Sequence, residues 1–590
     1  MFTTRPELTG TFGMVASTHW LASSVGMRML EAGGNAFDAA VAAGFTLSVV
    51  EPHLNGPGGD APIIGHRAAD GHVFVICGQG TAPAAATIDA YQDLGLDLVP
   101  GTGHLAAVVP GAFGAWLDLL ARYGTLPLEQ VLAPAIGYAR DGYPLVPAAA
   151  RAIGTVAAMF TEHWPTSAQV YLPHGRVPAA GDRFANPALA ATFERLLAAG
   201  RAGSREAQIE AARREFYEGF VADAVDEFVS TVAVHDSSGR RNTGLLRGSD
   251  LASWRATEEP TASIRFAGRT VHKTAAWGQG PVLLQQLAML EALGADDLVR
   301  ADDALELVHT VVEVAKLAFA DREAWYGDVP DVPLATLLSG QYAAERARLV
   351  GPTAADGLRP GSPDGREPRM ASALWGTGAA AALGTGEPTV SATGLTPGDT
   401  CHVDVVDRWG NRVSATPSGG WLQSSPVVPG LGFALPTRAQ MFWLEPGLPA
   451  SLTPGRRPRT TLSPGLVLDD DGSGVAFGTP GGDQQDQWTV PFLLRHLLGG
   501  AGLQAAIDAP MWHSTHVPGS FYPRTHTPRG LVAESRLGTA VLDGLARRGH
   551  DVQTTGPWEL GRLSAAGVRP DGLLVAAANP RAMQGYAVGR

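Results

Sequence analysis

The chain changes character once, near position 400, and this limits what it can fold into. From Gly111 to about Asp328 apolar residues recur at helical spacing. Helices are predicted over 112–123, 128–141, 188–199, 205–229, 282–293 and 304–322, with another over 334–349. Residues 351–397 are rich in Gly, Pro, Ala, Ser and Thr without periodicity and read as a flexible segment. Beyond it 403–406, 466–468, 475–477 and 573–578 read as strands, joining 13–17 and 73–77 near the start. A helix-rich part followed by a strand-rich part makes an α+β chain. The second part opens on Asp399-Thr400-Cys401-His402, which sets a hydroxyl, a thiol and an imidazole in consecutive positions.

Near the start, Gly33-Gly34 breaks one helix and Asn35 caps the next, an Ala-rich helix that runs to about Glu51-Pro52. Its small side chains allow close packing, so it is expected to be buried. Asn55-Gly56-Pro57-Gly58-Gly59-Asp60 follows as a tight loop. With 45% hydrophobic and 17% charged residues, the 590-residue chain can bury a large core. Its net charge of −13, with no Lys/Arg block, argues against nucleic acid or an anionic membrane as partner. No apolar run reaches the roughly 18 residues of a membrane span, and the first residues carry no basic-then-apolar leader. A cytoplasmic protein acting on a small molecule is expected. Cys77 and Cys401 form no disulfide framework. His513, His516 and His526 lack the spacing of a metal motif, so neither metal nor cofactor is expected.

Thr400 admits two readings from the residues alone: an ordinary strand residue, or a nucleophile. A threonine hydroxyl needs an adjacent base. Cutting the bond between Asp399 and Thr400 would supply one on the same residue, because an α-amine titrates near pKa ~8. The hydroxyl could itself attack the Asp399 carbonyl, and a flexible approach would suit that attack. Pro480-Gly481-Gly482 is likewise either a plain turn or a place where main-chain N–H groups face an oxyanion. Cys401 fits a packed strand cysteine better than a thiol nucleophile, and His402 an interior hydrogen-bonded ring better than a base.

Asp399-Thr400-Cys401-His402-Val403-Asp404, with Gly410-Asn411 and Val413-Ser414, resembles the nucleophile segment of the γ-glutamyltransferases. The resemblance extends over most of the chain. Gly13-Met14-Val15-Ala16, Gly33-Gly34-Asn35-Ala36, Glu51-Pro52 with Gly56, Gly58 and Gly59, and Val109-Pro110-Gly111 are similar to the family's N-terminal blocks. Arg456-Arg457-Pro458, Ser463-Pro464 and Thr479-Pro480-Gly481-Gly482 are similar to its C-terminal ones. The resemblance implies an Ntn-hydrolase four-layer αββα sandwich. One precursor would be cut into a large subunit, 1–399, and a small subunit, 400–590, forming a heterodimer with further dimerisation left open. It implies Thr400 as nucleophile, Gly481 and Gly482 as the oxyanion hole, and Ser418 as an orienting hydroxyl.

The substrate clamp departs from the family pattern. Ile88 stands where the family has a carboxylate-binding arginine, and Gly420 replaces an asparagine. The acidic element that holds the substrate ammonium aligns with Pro436 to Phe442, which carries Arg438 and no aspartate. Thr460-Thr461 keeps the hydroxyls of a serine pair. Arg438, Thr460, Thr461, Trp421, Asp483 and Gln484 are the candidate substrate contacts, with Trp443 and Trp488 as further aromatic walls. One of Asp483 and Gln484 is expected to cap the following helix. The main reading is a self-processing hydrolase of an amide-like bond. A second is a C–C bond hydrolase of an oxo-acid or oxalyl-type compound, as in actinobacterial alkylproline routes to lincosamides and pyrrolobenzodiazepines. A third is an unprocessed, non-catalytic binding protein.

Overall fold

Two seven-stranded antiparallel sheets stack face to face in the computed structural model, which describes residues 2–200, 203–375, 390–392, 400–581 and 584–590. One sheet runs Tyr586–Gly589, Gly13–Ser17, Val403–Asp407, Arg412–Ala415, Ala61–Arg67, His72–Gly78 and Thr257–Glu259. The other runs Leu8–Gly10, Leu574–Ala578, Ser564–Val568, Gly474–Gly478, Gly465–Leu468, Arg269–Lys273 and Ala262–Phe266. Each sheet therefore interleaves strands from before and after position 400.

Side-chain alternation builds the layers. In Val403–Asp407, Val403 and Val405 point to the helices, while Val406 and Asp404 point to the facing sheet. Between the sheets lie Met14, Val406, Ala566, Leu574 and Ala576, then Ile64, Val75, Leu466 and Ala476. The alanines allow close approach. Trp20–Glu31 and Ala36–Val50 cover one outer face through Val15, Ile63 and Val413. Gly280–Ala292, Ala304–Trp325 and Gln485–Leu493 cover the other through Val271, Val467 and Phe477. This is an α+β sandwich in four layers, helix, sheet, sheet, helix.

Every residue of Ala36–Val50 is buried, and Asn35 with Asp38 closes a capping box at its start. Gly44 must lack a side chain, because a methyl there would meet Trp116 at 2.3 Å. The predicted 205–229 helix is two helices, Arg205–Tyr217 and Phe220–Thr231, broken where Gly219 leaves helical geometry at ψ −144°. The 334–349 helix also divides, because Ser339 caps a new start at Gly340–Ala347. The hairpin Ala262–Phe266 with Arg269–Lys273, inside the part read as helical, supplies two strands of one sheet. Residues 351–375 hold only short 3₁₀ turns, and buried groups bind their backbone. Trp325 Nε1 donates to Gly361 O at 3.0 Å, and Gly361 N donates to Asp321 at 2.7 Å. The rest of the expected flexible segment, apart from 390–392, and Asp399 lie outside the described residues.

Candidate active site

Thr400 stands just before the central strand Val403–Asp407 and forms an antiparallel bridge with Ser418. Its Oγ1 donates to Ser418 Oγ at 3.3 Å, and the two residues are 1% and 0% exposed. Ser418 is fixed in turn by Asp60, their backbones exchanging N–H···O bonds of 2.8 and 2.9 Å. The Asn55–Asp60 loop can lie against this segment because it lacks side chains there. A methyl on Gly59 would sit 2.1 Å from Ser418 O, and one on Gly56 2.5 Å from Gly420 O.

His402 is an interior ring, its Nδ1 2.9 Å from Thr416 Oγ1 and its Nε2 2.9 Å from Asp404 Oδ1. Cys401 Sγ donates to Glu51 Oε2 at 3.0 Å, and burial with this carboxylate pushes the thiol well above its ordinary value. Glu51 also accepts from Thr18 at 2.5 Å and from Gln584, and burial raises its own pKa. The two residues that follow Thr400 are thus tied inward.

Gly481 and Gly482 take φ values of +129° and +54°, where L side chains are strained. A methyl on Gly481 would also lie 2.2 Å from Trp488 Cζ3. Trp488 is therefore the floor beneath this turn. Both glycines follow strand Gly474–Gly478, and a methyl on Gly478 would meet the His402 ring at 2.3 Å. The turn and Thr400 share one end of the sandwich.

Arg438 is 1% exposed, and its Nε donates to both oxygens of Asp60 at 3.0 and 3.1 Å. Its Nη1 and Nη2 have no partner among the described residues. Trp421 and Phe521 flank the guanidinium, with ring centroids 5.1 and 5.8 Å away. Trp421 thus walls Arg438, while its own Nε1 donates to Leu54 O at 2.7 Å. Trp443 lies under Arg524, at 3.8 Å. Thr461 keeps a buried hydroxyl without a partner among the described residues, whereas the Thr460 hydroxyl accepts from Leu462 N at 3.2 Å. Ile88 packs against an apolar cluster containing Tyr91, Ala439 and Phe442.

Asp483 is engaged within the fold. Its carboxylate is held by Arg322, by Ser520 Oγ at 2.6 Å and by Ser520 N at 2.8 Å. It anchors the 518–521 loop that carries Phe521. Gln484 occupies the cap position of Gln485–Leu493 without a side-chain cap bond. Neither caps that helix as expected. His513, His516 and His526 form no ligand cluster among the described residues. His309, Glu313 and His550 do bring ligand atoms within 4.8 Å of one another. Hydrogen bonds account for that group, since Lys316 holds Glu313 at 2.6 Å and the two imidazoles meet at 2.9 Å.

An αββα sandwich with a threonine hydroxyl at the head of a central strand defines an N-terminal-nucleophile hydrolase. The chain belongs to the gamma-glutamyltranspeptidase family, whose model matches residues 22–589. It is 31% identical to the oxamate amidohydrolase proenzyme of Klebsiella pneumoniae over 97% of both chains. The solved structure of LmbA2991T421A is 55% identical, covers all of both chains and superposes with a TM-score of 0.94. The cephalosporin acylase of Bacillus halodurans is 27% identical, with a TM-score of 0.81 over 100% of this chain and 97% of its own. Among the described residues no helix is long and apolar enough to cross a membrane.

Proposed function

We propose that this enzyme cuts its own chain between Asp399 and Thr400 and then hydrolyses a small amide that carries an anionic group beside the scissile carbonyl. The observation that carries this reading is Arg438, whose buried Nη1 and Nη2 lack partners among the described residues and which Asp60 links to the Thr400–Ser418 pair. A carboxylate or oxo group is the natural complement to such a guanidinium. The oxamate amidohydrolase proenzyme among the relatives supports the same choice, since oxamate carries a carboxylate beside its amide carbonyl.

In maturation the Thr400 hydroxyl would attack the Asp399 carbonyl, and water would open the ester to leave fragments 1–399 and 400–590. In turnover the freed α-amine takes the hydroxyl proton as Oγ1 bonds to the substrate carbonyl. The oxyanion is met by the N–H groups of Gly481 and Gly482. The amine leaves with a proton, and water then cleaves the acyl ester. Ser418 orients the nucleophile, and Thr461 offers its hydroxyl to substrate. Asp483 supports the pocket from behind.

A second reading keeps the attack but lets carbon leave, from an oxalyl-type ketone. The loss of acidic groups around 436–442, with Arg438 in their place, favours this over γ-glutamyl transfer. The mature enzyme can be offered N-ethyloxamate, 2,4-dioxopentanoate and γ-glutamyl-p-nitroanilide side by side. Turnover of the oxamate is expected to lead. Dominant release of oxalate from the dioxo acid would establish the second reading, and strong turnover of the γ-glutamyl compound would refute both.

A further inference from the structure

Three segments converge on the end of the sandwich that holds Thr400. Val403–Asp407 starts there, Gly474–Gly478 ends there and runs on into Thr479–Gly482, and Ser564–Val568 starts there. The register fixes this: Gly478 pairs with Ser564, whose Oγ donates to Asp404 at 2.7 Å. Two residues before Ser564 lies Arg562, and its backbone N donates to Thr479 Oγ1 at 3.0 Å. Arg562 is thus bolted to the start of the glycine turn, and its strand faces the one that Thr400 leads into.

Its side chain is 3% exposed, and Nε and Nη1 have no hydrogen-bond partner among the described residues. The acid within electrostatic reach, Glu51, is already engaged by Thr18, Cys401 and Gln584. Buried donors of a guanidinium are costly to leave unmatched. Arg438 reaches the site from the Asp60–Ser418 side, through loops of the other sheet. Two arginines with unmatched donors are therefore anchored at this end of the sandwich, Arg438 through Asp60 to Ser418 and Arg562 through Thr479 to the glycine turn.

We propose that Arg562 is a specificity-determining residue that binds a second anionic group of the substrate, across the scissile carbonyl from the group that Arg438 faces. This rests on the hydrolase reading above and narrows its substrate class to small amides with a carboxylate on each side of the bond. For an N-oxalyl amino acid, Thr400 Oγ1 bonds to the amide carbon and the C–N bond breaks. The amino acid leaves with the hydroxyl proton, and water frees oxalate from the ester.

The test compares N-oxalylglycine, which has both carboxylates, with N-ethyloxamate, which has only the acyl-side one. In the mature enzyme, Arg562→Gln should lower the ratio of kcat/KM for the first over the second by about 30-fold, mainly through KM. Arg562→Lys should recover part of that ratio. An unchanged ratio overturns the proposal, whether both activities fall together or neither moves. Calorimetric titration of 2-oxoglutarate, which keeps both carboxylates of N-oxalylglycine but has no amide to cut, into the mature wild type and Arg562→Gln gives a readout independent of turnover. Equal binding, or none to either, overturns the proposal as well. If Thr400→Ala kept the hydrolysis, the assignment of Thr400 as nucleophile would fall by itself, while a binding difference at Arg562 would still stand.

Discussion

Asp60 and Arg438 form a buried ion pair across 378 residues of sequence, with the arginine Nε 3.0 Å from one carboxylate oxygen and 3.1 Å from the other. The same Asp60 backbone holds Ser418, so one residue links the arginine to the hydroxyl beside Thr400. Removing one member of such a pair leaves a charge stranded, at a cost of about 3–5 kcal/mol. Asp60→Leu alone should lose stability of that order in urea unfolding. Asp60→Leu with Arg438→Leu should recover much of it while activity stays lost. Additive single losses would show that the two charges do not depend on each other.

Self-cleavage should track the Thr400 hydroxyl. The wild type is expected to run as two fragments and Thr400→Ala as one chain of 61.4 kDa. Thr400→Ser, which keeps the hydroxyl, should still be cut, more slowly. Edman sequencing of the smaller fragment should begin at Thr400, and any other new N-terminus would move the nucleophile elsewhere.

Gly481→Ala meets two obstacles, a φ of +129° and a Trp488 carbon 2.2 Å from the added methyl. Losing one oxyanion donor typically costs about 10²–10³ in kcat. A loss of that size is expected with KM little changed, and Trp488→Leu should restore part of it. A fully active Gly481→Ala enzyme would take this turn out of the chemistry.

Burial raises the Glu51 carboxyl above its usual range. The folded chain then keeps a proton that the unfolded chain has released. Its contribution to stability is full below the ordinary carboxylate range and is lost as pH rises through the raised value. The loss is about 1.4 kcal/mol for each pH unit that separates the folded value from the unfolded one. Glu51→Gln, neutral throughout, should flatten that decline in denaturation midpoints measured from about pH 5 to pH 8. Parallel curves for the two proteins would show that Glu51 is ionised in the fold.

Local patterns made much of this legible. Asn35, the Gly33-Gly34 break and the helix to Val50 could be read because a cap and a buried apolar stretch are properties of adjacent residues. The segment around Thr400 carried its chemistry in consecutive positions. The Asp60–Arg438 pair could not be read that way, since nothing local joins residues so far apart. The same holds for Asp483, which with Gln484 was open to a capping role, because Arg322 and Ser520 hold its carboxylate from 161 and 37 residues away. The hairpin Ala262–Phe266 with Arg269–Lys273 did alternate in sequence, with Ile264, Phe266 and Val271 as apolar marks, but long helices on either side masked it. Arg562 gave no signal at all, because its meaning comes from a strand register and from buried donors left unmatched.

The interleaving of strands has a mechanical consequence. Val403–Asp407 lies between Gly13–Ser17 and Arg412–Ala415, and Ser564–Val568 shares a sheet with Arg269–Lys273. A break before Thr400 would leave two polypeptides that cannot part without unravelling both sheets. Dilution should therefore not dissociate them. Their lifetime together would be an unfolding time, indifferent to concentration, and neither piece expressed alone should settle into a fold of its own.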